Sequence, residues 1–387
     1  MYNFEFYNPT RIFFGKNKLG VIDKHIPSNA KVLITFGGGS ARRSGLIDKI
    51  KTILGEREVV EFGGIEPNPH YEKLMKAVDV VRREKIDFIL AVGGGSVIDG
   101  TKFITLASSY KGDATDLLKF ESAVPVDVLG EVVPFGNVLT LPATGSEMND
   151  GAVISYGNGK FPVMCERSFP RFSVLDPTIT FTLPKIQVAN GVVDTFIHTV
   201  EQYLTYPVDA RVQDRLAEGL LQTLIEIGET TVAEPENYDA RANLVWSATM
   251  ALNGIIGAGV PQDWTTHMVG HELTARFGID HGQTLAIVYP ALLEVRRDKK
   301  RAKLLQYADR VWHINGGSEE EIIDQAILKT RNFFESLGIK THLSDYGVRA
   351  DQIDLIVEQL GEHGLTALSE TGDLTLDISR EILMKAL

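Results

Sequence analysis

Short, nearly continuous apolar runs alternate with amphipathic segments over the first half of the chain. The apolar runs predict strands at 31–36, 59–62, 86–92 and 137–141. The segments between them have helical periodicity and predict helices over 46–54, 71–84 and about 97–108. Strands that alternate with helices are typical of βαβ units, and the strands of parallel sheets are apolar on both faces. We therefore predict an α/β domain with a parallel, Rossmann-like sheet.

The pattern changes near residue 183, where strand-like runs become scarce. Long helical patterns follow, at 187–204, 210–227, 238–256 and 319–337. The prolines of Asp176-Pro177 and Leu183-Pro184 mark the junction, because proline interrupts regular structure. The sequence thus predicts two domains, an α/β domain over 1–182 and an all-helical domain over 183–387.

The composition is that of an ordinary globular protein, and its charge excludes some partners. The chain has 387 residues, of which 44% are apolar and 23% charged, and its formal net charge is −12. An acidic protein is poorly suited to neutralising the phosphates of nucleic acids or to binding anionic membranes. The single cysteine, Cys165, cannot form an intramolecular disulfide, and no apolar run is long enough to predict a membrane span. We expect a cytoplasmic protein that binds neither nucleic acid nor membranes.

Two predicted strands end in the same tetrapeptide, Gly-Gly-Gly-Ser, at 37–40 and at 93–96, and each is followed by a helix. Glycines such as Gly94 and Gly95 let the backbone approach a ligand closely, and the N-terminus of the following helix attracts an anion. The alternative is a pair of tight turns with capping serines. Two such turns in one domain, with a third turn rich in Thr and Ser after residue 141, favour a bound nucleotide.

The first of these turns indicates which dinucleotide is bound. An NAD site of the standard kind places an acidic residue at a strand end to bind the ribose 2′-hydroxyl, but this strand ends in Gly37 and Gly38. The uncharged end leaves room for a 2′-phosphate, which Ser40, Arg42 or Arg43 could bind. The sequence therefore favours NADP(H), although the two arginines are equally typical of solvated surface groups.

Histidines are concentrated in the second half of the chain at helical spacings. Asp194 and His198 are four residues apart, as are His267 and His271, and His281 follows. Residues four apart lie on one face of a helix, and histidine and carboxylate side chains are typical ligands of divalent metals. A lone histidine on an apolar face is usually a core residue, but this cluster indicates a metal site for Fe(II) or Zn(II). Because five candidates exceed the needs of an open four-coordinate site, one histidine is expected to be a proton relay or an outer group.

The motifs taken together resemble those of the iron-containing (group III) alcohol dehydrogenases over essentially the whole chain. The matching segments are Gly93-Gly-Gly-Ser-Val-Ile-Asp99, Thr140-Leu-Pro-Ala-Thr-Gly-Ser-Glu147, Asp194-x₃-His198 and His267-x₃-His271-x₉-His281. The chain is most similar to the branch of NADPH-dependent aldehyde reductases and butanol dehydrogenases. Its segments 66–69, 188–194 and 257–264 carry that closer likeness.

The resemblance implies a role for each matching residue, on a dehydroquinate synthase-like architecture. It implies metal ligation by Asp194, His198, His267 and His281, and a catalytic place for His271 near the metal and the nicotinamide. It implies that Gly95, Ser96 and Asp99 contact the pyrophosphate of the cofactor. It implies that Thr140, Thr144 and Asn149 contact the nicotinamide. Asn68 would contact the adenine, and Lys160 the ribose. Many relatives carry Asp at the end of the first strand, so Gly37 again favours NADP.

Two hypotheses for the function follow. The first is a homodimeric, metal-dependent NADP(H) alcohol dehydrogenase or aldehyde reductase that transfers hydride reversibly between NADPH and short- to medium-chain aldehydes such as butanal. The metal would polarise the substrate oxygen, and His271, water or a ribose hydroxyl would supply the proton. The alternative is a metal-dependent lyase or hydrolase of a phosphorylated substrate on the same scaffold.

Overall fold

The computed structural model describes residues 1–119 and 123–387, which form two compact units. The α/β unit comprises Tyr7–Thr182, and the helical unit comprises Leu183–Leu387 together with Met1–Phe6. In the described part of the chain, no helix is both long and apolar enough to cross a membrane. The first six residues thus lie with the helical unit, whereas the sequence-based boundary placed them with the α/β domain.

The α/β unit is built on six parallel strands in the order β1-β8-β5-β4-β2-β3. These strands are β1 (Arg11–Phe14), β2 (Val32–Phe36), β3 (Val59–Phe62), β4 (Phe88–Gly94), β5 (Phe135–Leu141) and β8 (Phe172–Leu175). A separate antiparallel hairpin consists of β6 (Gly151–Tyr156) and β7 (Gly159–Met164). The predicted parallel sheet is confirmed. The sequence analysis did not identify β1 and β8, whose four-residue segments include the polar residues Arg11 and Ser173.

Within the described residues, five α-helices connect the strands of this unit. They are α1 (Val21–His25), α2 (Ser40–Arg43), α3 (Leu46–Leu54), α4 (Tyr71–Glu84) and α5 (Gly95–Ser109). The central strands β2 and β4 are buried almost throughout, since helices cover them, which explains why they contain few polar residues. The helix α5 begins directly at the end of β4, so that its N-terminus lies at the carboxyl edge of the sheet.

The helical unit consists of nine helices within the described residues. They are α6 (Lys185–Tyr203), α7 (Arg211–Ala233), α8 (Tyr238–Ala251), α9 (Thr265–Phe277), α10 (His281–Val295), α11 (Arg301–Arg310), α12 (Glu319–Ser336), α13 (Ile353–Glu362) and α14 (Leu376–Lys385). The helix α6 is buried from Gly191 to Tyr203, and α10 is buried from Thr284 to Leu293, because other helices surround both. The predicted all-helical fold of this unit is confirmed.

The N-terminal segment is attached to the helical unit by backbone hydrogen bonds and aromatic side chains. The amide of Tyr2 donates to the carbonyl of Gly259 at 2.9 Å, and the terminal amine of Met1 donates to the carbonyl of Val208. Gly259 has a φ of +71°, and a Cβ atom there would meet the Phe4 ring at 2.7 Å. Glycine at this position therefore lets the first residues of the chain lie directly on the helical unit.

Candidate metal cluster and nucleotide-binding turns

The helix α6 carries an acidic and a basic side chain in the middle of its buried stretch. Asp194 and His198 are one turn apart, and their side chains are only 5% and 6% exposed. A buried carboxylate is costly unless a cation or hydrogen-bond donors compensate it. The surroundings of Asp194 therefore have to supply that compensation.

Three imidazole nitrogens surround one oxygen of Asp194. The Nε2 atoms of His198, His267 and His281 lie 3.6, 3.5 and 3.6 Å from Asp194 Oδ1. His267 lies in the first turn of α9, and His281 is the first residue of α10. Three separate helices thus bring the predicted metal ligands together within the helical unit.

The chemistry and the spacing of these atoms fit a divalent metal. Asp194 Oδ1 and His267 Nε2 are buried, and neither makes a hydrogen bond to any described residue. Separations of 3.5–3.6 Å are close to the edge of a tetrahedron whose corners lie about 2.1 Å from its centre, the usual length of metal bonds to nitrogen and oxygen. Ligand atoms of Asp194, His267 and His281 all lie within 4.8 Å of one another, and His198 reaches the same carboxylate oxygen.

Glu201, a buried residue on α6, holds the ring of His267 in its orientation. Its carboxylate accepts a hydrogen bond from His267 Nδ1 and a second, 3.2 Å long, from the backbone amide of His267. With Nδ1 occupied in this way, Nε2 is left to point toward Asp194. The sequence analysis missed Glu201, although its position seven residues after Asp194 puts it on the same face of α6.

The pKa values of Asp194 and His267 reflect two opposing effects, namely burial and the charges of neighbouring groups. Burial raises the pKa of Asp194, but the neighbouring histidines outweigh burial and lower the pKa of this carboxyl below its ordinary value. Burial lowers the pKa of His267, but Glu201 and Asp194 outweigh it and raise the pKa to about 9. In the protein without metal, a proton on His267 thus supplies the positive charge that the carboxylates require.

His271 lies beside this cluster, one turn beyond His267 on α9. The centroid of its ring is 5.1 Å from that of His281 and 6.1 Å from that of His267. Its neighbour Glu272 is buried and accepts a hydrogen bond of 2.9 Å from His363 Nδ1, which connects α9 to the end of α13. The ring of His271 is therefore close to the predicted ligands. The helix that carries it, α9, is anchored to the end of α13 by the hydrogen bond between His363 and Glu272.

In the α/β unit, the glycines at 93–95 allow close packing around the start of α5. A Cβ atom on Gly93 would lie 2.4 Å from the Val97 side chain, and one on Gly95 would lie 2.4 Å from Thr144 Oγ1. The turn between β4 and α5 thus lies against the turn that follows β5. This leaves the free amides at the N-terminus of α5 at the carboxyl edge of the sheet, where parallel α/β sheets bind their ligands.

Three further predicted residues lie around the N-terminus of α5. Asn68 has a φ of +56°, and its backbone amide donates a hydrogen bond to Ser96 Oγ at 3.3 Å. Asp99 accepts hydrogen bonds from Ser146 Oγ at 2.5 Å and from the amide of Val153 at 3.0 Å. The structure thus brings Asn68 and Ser96 together, while both carboxylate oxygens of Asp99 bind the protein itself.

The remaining predicted nucleotide residues lie on β5, on the turn after it and on the hairpin. Thr140 is on β5 and is partly buried, and Lys160 is on β7 opposite Ser155. Asn149 Oδ1 accepts hydrogen bonds from Lys102 Nζ at 2.7 Å and from the amide of Gly151 at 3.1 Å. The Asn149 oxygen therefore holds the turn, and Lys102 is a buried partner that the sequence analysis did not identify.

The first glycine turn, after β2, is more open than the second. A Cβ atom on Gly38 would meet nothing within 4 Å, whereas one on Gly37 would lie 3.3 Å from the carbonyl of Ile65. Ser40 is the first residue of the short α2. Arg42 forms an ion pair with Glu61 on β3, and its guanidinium lies over the Phe36 ring, 5.1 Å from the centroid. Arg42 thus lies beside the glycine turn with its side chain 53% exposed.

Comparisons with known proteins identify the family that the chain resembles. The family model for iron-containing alcohol dehydrogenase matches residues 9–177, and the model for the C-terminal part of that family matches residues 188–368. The chain is 57% identical to the NADPH-dependent aldehyde reductase YqhD of Escherichia coli, over 99% of each chain. It is 40% identical to NADH-dependent butanol dehydrogenase A of Clostridium acetobutylicum, over 93% of each chain.

Solved structures show the same relationship. The crystal structure of YqhD from Escherichia coli K-12 superposes with a TM-score of 0.96 at 56% identity and covers 100% of this chain and 99% of that one. A butanol dehydrogenase A from Thermotoga maritima superposes with a TM-score of 0.92 at 34% identity, over 100% and 99% of the two chains. These relatives are named as reductases and dehydrogenases, so the alternative of a lyase or hydrolase is not favoured.

Proposed function

Because the chain belongs to the iron-containing alcohol dehydrogenase family, we propose that it is a metal-dependent NADP(H) alcohol dehydrogenase and aldehyde reductase. Its substrates are short- to medium-chain aldehydes such as butanal and the corresponding primary alcohols. The similarity to an NADPH-dependent aldehyde reductase and to butanol dehydrogenases supports both the reaction and this substrate class. The reaction transfers a hydride reversibly between the nicotinamide and the carbonyl carbon.

One observation supports the proposal most strongly, namely the three imidazole nitrogens around a single buried carboxylate oxygen. We propose that Asp194, His198, His267 and His281 hold one divalent ion. When bound, such an ion supplies Lewis acidity, which polarises a carbonyl and favours the alkoxide form of an alcohol. Glu201 keeps the His267 ring oriented for this purpose, and three of the proposed ligands, Asp194, His198 and His267, are buried.

His271 is proposed as the catalytic histidine that holds or delivers a proton. Its ring lies 5.1 Å from that of His281, near the ligands, but Asp194 Oδ1 has its close contacts with the other three histidines. A histidine whose ordinary pKa is near neutrality can exchange protons with a substrate oxygen at physiological pH. This role accounts for the fourth histidine of the cluster.

For the cofactor, we propose that the N-terminus of α5, with Gly94, Gly95 and Ser96, binds the pyrophosphate of NADP(H). The free amides there are suited to an anion. Gly37, Gly38 and Ser40 are proposed to lie along the adenosine ribose, where the open space at Gly38 accommodates a 2′-phosphate and Arg42 is close enough to bind it. Asn68, Thr140, Thr144 and Lys160 are proposed as further contacts, and Asp99 and Asn149 as residues that shape the site.

The proposal also covers the identity of the metal ion and the oligomeric state of the protein. Histidine and carboxylate ligands accept both Fe(II) and Zn(II), so we propose one ion of either kind. We also propose a homodimer, the commonest assembly of soluble proteins.

The test is to load the protein with Fe(II) or Zn(II) under anaerobic conditions and to follow the absorbance of NADPH with butanal. We expect NADPH oxidation that depends on the metal and the aldehyde, with slower turnover when NADH replaces NADPH. No turnover with either metal and either cofactor would refute the proposed function. Elemental analysis of a separate sample, purified without added metal, identifies the native metal.

A further inference from the structure

A lysine lies completely buried in the α/β unit, where no lysine is needed for packing. Lys102 is on α5, two turns from the N-terminus of the helix, and its exposed fraction is 0%. Burying an ammonium group costs free energy unless close acceptors compensate it, and an apolar residue of similar size often stabilises such a position equally well. A buried lysine at this place therefore calls for an explanation other than packing.

The side-chain hydrogen bonds of Lys102 lead to the turn between β5 and β6. Its Nζ donates to Asn149 Oδ1 and to the carbonyl of Gly151, both at 2.7 Å. Asn149 in turn donates from Nδ2 to the carbonyl of Gly145 at 3.0 Å and accepts from the amide of Gly151 at 3.1 Å. The ammonium group thus fixes both ends of the segment 145–151 through one asparagine.

A second contact joins the same helix to the same turn. Asp99, three residues before Lys102 on α5, accepts from Ser146 Oγ at 2.5 Å and from the amide of Val153 at 3.0 Å. The turn directly follows Thr144, whose Oγ1 lies against the Gly95 backbone at the start of α5. A shift of the turn would therefore move Thr144 relative to the helix N-terminus that is proposed to bind the pyrophosphate.

We propose that Lys102 is a positioning residue for the cofactor, whose buried ammonium holds the 145–151 turn against α5 in the conformation that binds the nicotinamide end of NADPH. This inference rests on the proposed function. It assigns to Lys102 an indirect role, because its hydrogen bonds are made to Asn149 and Gly151.

The charges around Lys102 give this role a pH dependence. The acidic groups that face it are Asp99 on its own helix and Glu147 and Asp150 in the turn, and Lys160 of β7 acts in addition on Asp99. Burial lowers the pKa of Lys102 to about 8, although these three carboxyls oppose the shift. Above that pH the neutral amine donates weaker hydrogen bonds, and the acidic groups lose their counter-charge. Both effects weaken the binding of a polyanion such as NADPH as the pH rises.

The experiment measures the dissociation constant of NADPH by its fluorescence in the metal-loaded protein, without aldehyde, between pH 7 and 9.5. For the wild type we expect affinity to fall several-fold across about pH 8. We expect Lys102→Met to bind NADPH at least ten-fold more weakly at pH 7 and to lack the change near pH 8. The matched control is Lys119→Met, an exposed lysine of the same unit that pairs with Asp116, which should behave as the wild type.

Steady-state kinetics and metal content separate positioning from a general structural defect. With Lys102→Met we expect a raised KM for NADPH, an unchanged KM for butanal and a full content of metal. Equal affinity for NADPH in Lys102→Met and wild type would overturn the proposal. If that variant does not fold, a wild-type affinity that is constant from pH 7 to 9.5 would overturn it as well. Failure of the wild type to bind NADPH at pH 7 would instead refute the proposed function, and this inference with it.

Discussion

The candidate metal cluster of the helical unit and the glycine turns of the α/β unit are built in opposite ways. The cluster consists of ionisable side chains that are mostly buried, and Asp194 lies at its centre with three histidines at nearly equal distances. In the turns, mainly backbone groups rather than side chains line the proposed binding site. Their glycines are needed because a larger residue would collide with its neighbours, as at Gly93 and Gly95. Side chains thus determine the chemistry in one region, whereas the absence of side chains shapes the other. Single substitutions should therefore have much larger effects on the cluster than on the turns.

The largest effect is expected from Asp194→Asn, which keeps the shape of the side chain and removes its charge. The buried imidazoles lose their common anionic partner, so the variant should retain little metal after dialysis, and NADPH oxidation with butanal should fall about 10³-fold. Metal analysis and the NADPH assay measure these two losses. Asp309→Asn, an exposed position on α11, is the control and should behave as the wild type. Full metal content in Asp194→Asn would contradict the assignment of this residue.

A smaller loss is expected from Glu201→Gln, because Glu201 orients a predicted ligand without being one. The amide of glutamine can still accept a hydrogen bond from His267 Nδ1, but the negative charge that strengthens it is lost. We expect metal affinity to fall about 10- to 100-fold, as measured by competition with a chelator. The matched control is Glu226→Gln on the exposed side of α7. An unchanged affinity would mean that packing alone orients His267.

The preference for NADPH should respond to Gly38→Asp, since Gly38 has open space and Gly37 does not. An acidic side chain there would repel the 2′-phosphate and bind the ribose hydroxyls of NADH. We expect the dissociation constant of NADPH to rise about ten-fold while that of NADH does not rise. Gly20→Asp adds the same charge at another open glycine of the unit and should change neither constant. Equal weakening of both cofactors would show that the phosphate is not bound at this turn.

The smallest effect is expected from Gly95→Ala. The added methyl group would lie 2.4 Å from Thr144 Oγ1, so the two turns must move apart. We expect the free energy of unfolding to fall by about 1–3 kcal/mol and NADPH to bind several-fold more weakly. Denaturant unfolding and NADPH fluorescence measure the two changes. Gly20→Ala serves as the control, because a Cβ atom there meets nothing within 4 Å and its backbone is helical. A loss in Gly20→Ala as large as that in Gly95→Ala would contradict the argument from close packing.

The same contrast explains how much of the molecule the sequence could predict. The parallel sheet was predictable where its strands are continuous and apolar, as in β2 and β4. The spacings of Asp194 and His198 and of His267 and His271 indicated the candidate metal cluster. The helix α3 has the bounds that its periodicity predicts, 46–54. Such features depend on local patterns along the chain.

The features that the sequence did not reveal depend on contacts between distant segments. Glu201 binds His267, and Lys102 binds Asn149, and both pairs are far apart along the chain. No local pattern distinguishes a glutamate or lysine that is buried from one that is solvated. The strands β1 and β8, which the sequence analysis did not identify, are likewise defined by pairing between distant segments, β1 with β8 and β8 with β5. The role of Asn149 also required the structure, since its oxygen proves to be engaged by the protein.

The attachment of the first six residues to the helical unit has a consequence for biosynthesis. The terminal amine of Met1 binds the carbonyl of Val208, which lies 207 positions further along the chain. Residues 1–6 precede the α/β unit in the chain, so they must wait until much of the helical unit has been translated, while the whole α/β unit can fold in the interval. Closing so long a loop costs only slightly more entropy than closing a shorter one, so the delay concerns the order of events more than the final stability. Residues 1–6 are thus expected to reach their native position later than the α/β unit that follows them in the chain.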